Sequence, residues 1–222
     1  MNSEIRWIRF RIGDAFPAGS ALGKWIAGLT LMANDILQSF DAMQREFAEG
    51  PDSPEGLFYF WLTCAQFREG AKLLSGGLED SEIKKFIDTM DASDQSMLAL
   101  IRPAFEPFAG SFVERIAKPI RDEFFHYPKP GSQRWDEVLS QMADLESGLR
   151  FRADLNPAST RGVFADELRT LYLIQYMGVS TDEIADVMRR LADYVGPMVR
   201  FAHGCLGSYI GRLPEGVVTH DL

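Results

Sequence analysis

Between Lys118 and Gly131 the chain reads KPIRDEFFHYPKPG, a stretch whose residue types suit work on a phosphate or a labile proton. Arg121 offers a planar, permanently charged fork of hydrogen-bond donors. His126 is the first of only three histidines in 222 residues, and imidazole is the side chain whose charge changes near neutral pH. Asp122 stands next to the arginine and can orient it. Lys118, Lys129 and the phenol of Tyr127 add donors for an anionic substrate. Pro128, Pro130 and Gly131 stop any helix here, so His126 falls in a last turn, where the helix dipole favours a cationic ring.

The spacing sets a condition. Five steps along an ideal helix put Arg121 and His126 roughly 140° apart, so the two side chains do not share a face. They converge only if the last turn loosens before Pro128, or if two copies of the chain each supply part of one site, as a two-fold dimer allows. A purely structural reading stands beside the chemical one: Arg121 pairs with Glu114 or Glu123, and His126 donates to a carbonyl at the helix end.

The elements that position this stretch are helical. Leu22, Trp25, Ile26, Leu29, Met32, Ile36, Phe40 and Met43 recur at three and four residues between Ser20 and Ala48, one apolar stripe of an amphipathic helix. After the breaker EGPDSPEG, a second helix is expected from about Glu55 to Leu74, closed by Gly76-Gly77. The short polar connection makes the two an antiparallel hairpin. A third helix fits Asp80 to Leu100, capped at Asp80 or Ser81. A fourth carries the ladder Phe108, Phe112, Ile116, Ile120 and Phe124; Pro119 lies inside it and is expected to kink or split it near Arg115.

Further helices are expected over Trp135–Leu149 and Arg161–Met177. A capping box at Ser180 and Glu183 opens another through Tyr194, with Gly196-Pro197 separating it from a last helix. Ile8, Phe10 and Ile12 alternate with arginines, the period of a short strand, and LRFRADLNP near residue 149 echoes it. The chain therefore reads as an all-α bundle of about seven helices, with one short edge β pair between residues 7–12 and 149–153. Its organisation is an arm over residues 1–19, a bundle over 20–130 and a C-terminal helical extension over 131–222, ending in a loose tail.

IRDEFFHYP on a late helix of such a bundle resembles the HEPN superfamily, whose signature is an arginine, commonly a polar residue after it, and a histidine four to six residues on. The resemblance covers residues 20 to 130. It implies a metal-independent endoribonuclease with no cofactor, in which His126 handles the proton of the ribose 2′-hydroxyl or of the leaving group. Arg121 would neutralise the five-coordinate phosphate, and Asp122 would orient it. Lys118, Tyr127 and Lys129 would bind the substrate. RNA as substrate, a homodimer through the first two helices and the Arg121 helix, and an antitoxin or regulatory protein as partner follow from the same likeness, with a role in stress or phage defence.

Other function classes have less in the sequence. A net charge of −9 repels phosphate backbones and anionic lipid, so nucleic-acid contact requires a local basic patch. No apolar window approaches the roughly 20 residues needed to cross a bilayer, and arginines interrupt the N-terminal apolar run; a cytoplasmic protein is expected. Cys64 and Cys205 are isolated, as core residues are, and no metal site is indicated. YMGVSTDEIADVMRRL, Tyr176 to Leu191, resembles the front of a bacterial helix-turn-helix, but the segment to residue 205 offers only Arg200 and His203 to DNA. The rival from another class is a non-enzymatic helical regulator.

Overall fold

The structure, a computed structural model, describes residues 8–50, 53–124, 133–141, 143, 149–150, 161–180 and 183–220. It is an all-α bundle, with nine α-helices among the described residues, the first a single turn, α1 (Ile12–Ala15). The central layer is the hairpin of α2 (Ala21–Glu49) and α3 (Pro54–Gly77). Ser20 caps α2 by accepting from the amide of Gly23 at 2.8 Å, and Ser53 caps α3 by accepting from Gly56 at 3.1 Å. These caps satisfy amides that a helix start leaves open.

The hairpin is antiparallel in its contacts as well as its connection. The indole of Trp25 donates to the carbonyl of Leu73 at 3.1 Å, and the hydroxyls of Thr63 and Ser39 meet at 2.9 Å. Close approach depends on small residues. A Cβ on Gly77 would land inside the Trp25 indole, and one on Gly204 would collide with the Asp94 carboxylate. At both places a flat backbone lets a neighbour press against the helix.

The expected third helix is two: α4 (Ser81–Asp88) and α5 (Ala92–Ile101). Asp80 caps the first, accepting from Glu82 and Ile83 at 2.8 and 3.1 Å. Thr89 ends it, and the Gln95 amide folds back onto carbonyls of Ile87, Asp88 and Met90. The bend turns Ile83, Phe86 and Ile87 into the core along with Leu98 and Ile101.

Pro119 acts as its chemistry requires. Its ring would press on the Arg115 carbonyl one turn back and leave it without a donor. The chain answers with a wider turn of π-helix, Val113–Ala117, that contains that carbonyl, before α6 (Lys118–Phe124). Phe108 falls outside the ladder and is half-exposed, whereas Phe112, Ile116 and Ile120 are buried against α3.

The C-terminal half departs further. α7 (Gln133–Gln141) and α8 (Val163–Met177) make a small second core of Val138, Leu168 and Tyr172. α9 runs unbroken from Ile184 to Ile210 with Pro197 inside it. Gly196-Pro197 therefore does not separate two helices. Val195, Met198, Val199, Phe201, Ala202 and Cys205 are all buried, and the burial on both sides of the proline offsets its cost of about 3 kcal/mol in a helix interior. A helix-turn-helix over 176–205 needs a turn where α9 has none, which removes that alternative. α9 packs on α2 and α5 and its apolar face joins their core, so this helix is an integral layer of the bundle.

The strand pairing is also corrected. β1 (Ile8–Phe10) pairs antiparallel with β4 (Val218–His220), and β2 (Leu149–Arg150) pairs with β3 (Arg161–Gly162). Among the described residues the expected pair between 7–12 and 149–153 is not seen, and Val218–His220 supplies the strand beside β1 instead. Cys64 and Cys205 are free and buried, and burial pushes both thiols up from their ordinary pKa. Among the described residues no helix is long and apolar enough to cross a membrane.

Candidate functional site

α6 places Arg121 at the surface. Ile120 and the π turn before it anchor the helix against α3, so the next residue emerges at the edge of the α2–α3 hairpin. The Arg121 side chain is 42% exposed; its Nε lies 2.9 Å from Glu69 Oε1 and its Nη1 lies 3.4 Å from Asp122 Oδ1. The same Glu69 oxygen also holds Arg68 Nη1 at 2.6 Å. One carboxylate oxygen thus bridges two guanidinium groups.

Neither carboxylate named in the structural reading is the partner. Glu114 accepts instead from the amide of Gly110, and Glu123 accepts from the Tyr172 hydroxyl at 3.0 Å. α6 turns Arg121 toward α3 and Glu123 toward α8. Lys118, half-buried, begins α6 one turn before Arg121. His126, Tyr127 and Lys129 lie outside the described residues.

Beside Arg121 a hollow of about 360 Å³ opens between α2 and α3. Gly28, Leu31 and Asp35 border it on α2, Gln66 and Glu69 on α3, and Arg121 closes one end. Leu31 is 63% exposed on its rim. The arrangement is a solvent-reachable guanidinium, held in direction by two carboxylates, over a shallow apolar floor.

Comparison of the chain with protein-family models, curated proteins and solved structures finds no match. Chemistry alone must decide what this site does.

An exposed ion pair of this kind is worth about 0–1 kcal/mol. The Glu69 and Asp122 contacts therefore orient Arg121 without locking it away, and a phosphate offering two charge-assisted bonds can displace them. Of the residues singled out in the sequence, the structure brings together Arg121 and Asp122, with Lys118 on the same short helix. It adds Glu69 and Arg68, which the sequence reading passed over. Their signal was a charged pair, FREGAK, interrupting an otherwise apolar α3.

Proposed function

We propose that the chain is a HEPN-type, metal-independent endoribonuclease acting in stress or phage defence. The observation that carries this reading is Arg121: a half-exposed guanidinium on α6, oriented by Asp122 and Glu69. In this reaction His126 takes the proton of a ribose 2′-hydroxyl. The 2′ oxygen attacks phosphorus, and the bond from phosphorus to the 5′ oxygen breaks. The leaving oxygen receives its proton from an imidazolium, that of the same copy or of its dimer mate. Arg121 offsets the charge that gathers on the phosphoryl oxygens, where fixed donors are most effective.

A homodimer fits the reading, because residues about 140° apart on an ideal helix need either a loosened turn or a second copy to meet. Lys118, Tyr127 and Lys129 supply substrate contacts, and an antitoxin or regulatory protein would act by covering Arg121. A second reading has its own support. The engagement of Arg121 by two carboxylates beside an apolar hollow also suits a non-enzymatic regulator that binds a protein partner there.

The two readings part on product chemistry. With a chelator present, the wild-type chain is expected to cut RNA and leave 2′,3′-cyclic phosphate and 5′-hydroxyl ends, identified by mass spectrometry. No product would favour the regulator, and ends carrying 5′-phosphate would contradict attack by the 2′ oxygen.

A further inference from the structure

A second hollow, of about 480 Å³, lies on the next side of α3 from the one beside Arg121. Arg68, Lys72 and Ser75 of α3 form one wall, and Phe105, Glu106 and Phe108 form the other. Its volume is that of a small-ligand site. Its composition is unlike the rest of this acidic chain: two cations and a hydroxyl face a ring. Glu106, the carboxylate on the lining, is engaged by Arg102 Nε at 3.3 Å. Lys72 is exposed and makes no ion pair among the described residues. Phe108 is 51% exposed, in the loop between α5 and the π turn.

This hollow is tied to Arg121. Arg68, on its wall, shares the Glu69 oxygen with Arg121, and Glu69 and Lys72, three residues apart, are neighbours on the helix surface. Arg121, Glu69, Arg68 and Lys72 thus form a charged path across α3, ending at an exposed ring.

We propose that this path is the binding track for single-stranded RNA. One base stacks on Phe108, the backbone crosses Lys72 and Arg68, and the next phosphates reach Arg121. The inference rests on the nuclease reading for the last step alone. Stacking on a ring with cations along the backbone is how strands are held without sequence preference. A duplex keeps its bases stacked inside and has none to offer Phe108. For a chain of net charge −9, local cations are also the condition for binding any polyanion, and this path sets Arg121, Arg68 and Lys72 against the carboxylates of Glu69 and Asp122.

The test is fluorescence anisotropy with a labelled 2′-O-methyl single strand of mixed sequence, which cannot be cleaved through its 2′ oxygen, and with the same strand annealed to its complement. The full chain is expected to prefer the single strand. Phe108→Ala should weaken binding about tenfold. Lys72→Gln should weaken it several-fold and flatten the slope of log affinity against log salt by about 0.7. Leu100→Ala, which removes an exposed apolar side chain on α5 outside this path, should bind as wild type. Equal affinity for duplex and single strand would overturn the proposal, as would wild-type affinity in both groove variants or an equal loss in Leu100→Ala. Phe108-dependent binding without any cleavage of ordinary RNA would keep the track and remove the nuclease. Cleavage with binding indifferent to Phe108 and Lys72 would do the reverse.

Discussion

Replacing His126 by alanine is expected to lower RNA cleavage by about 10²–10⁴-fold, the usual contribution of a positioned proton-transfer group. Arg121→Ala should lower it by about 10²–10³-fold, the cost of removing one fixed donor from the charge that develops at the reacting centre. Arg121 makes its bonds at the surface, to carboxylates that are themselves about half in solvent. Losing them should change folding stability by no more than about 1 kcal/mol. Single-turnover cleavage rates, read beside a urea unfolding curve for each variant, check both halves. A loss of activity that tracks a loss of stability would point to a structural role for Arg121.

The largest expected effect on stability belongs to Phe112. The ring is 1% exposed and stands at the entrance to the π turn. It meets Phe67 of α3 edge-on at 5.9 Å and Tyr194 of α9 at 5.6 Å, with the Arg190 guanidinium 5.3 Å from its centre. Three layers of the bundle are therefore joined at one side chain. Phe112→Ala is expected to cost about 3–5 kcal/mol, the lost transfer energy together with the cavity left behind. Set against a total of about 5–15 kcal/mol, that is at least about a fifth of the margin. For a chain of this size the melting temperature should fall by about 6–20 °C. The denaturant midpoint should drop with little change in slope, because the surface exposed on unfolding barely changes. A shift under about 1 kcal/mol would mean that the neighbouring rings close over the gap.

Much of the bundle was legible because the signals were local. The stripe from Leu22 to Met43 and the cap at Asp80 each depend on a few adjacent residues, whereas Gly76-Gly77, expected to close the second helix, lies within the last turn of α3. Pro119 was legible for the same reason: a missing donor and a ring clash act within one turn of the proline. Pro197 carries the same missing donor and clash but lies where apolar burial on both sides keeps α9 continuous through it. That burial comes from α2 and α5, and nothing within a few residues of Gly196-Pro197 reveals it. The bend at Thr89 was visible in principle, since Asp91 before Ala92 is a usual cap position, but the run of helix formers around it hid the signal. Strand partners were not legible at all, because Ile8–Phe10 alternates equally well against residues 149–153 or Val218–His220.

The candidate site divides in the same way. Arg121 and Asp122 stood out through their types and their place after a proline. Their real neighbour, Glu69, lies 52 residues earlier (121 minus 69), and only the packing of α6 on α3 brings them together. Residues next to Arg121 in sequence, such as Glu123, are turned away by the helix to other partners. Contacts within a turn can be read from a sequence; contacts between layers depend on register.

The proposal that Arg121 and His126 act on one phosphodiester is tested most directly by a double-mutant cycle on cleavage rate in the presence of a chelator, with Arg121→Ala, His126→Ala and the pair. Groups that act as a unit are far from additive, so the double variant should be no more than about tenfold slower than the slower single. Full wild-type cleavage by both single variants, or penalties that simply multiply in the double, would contradict the account.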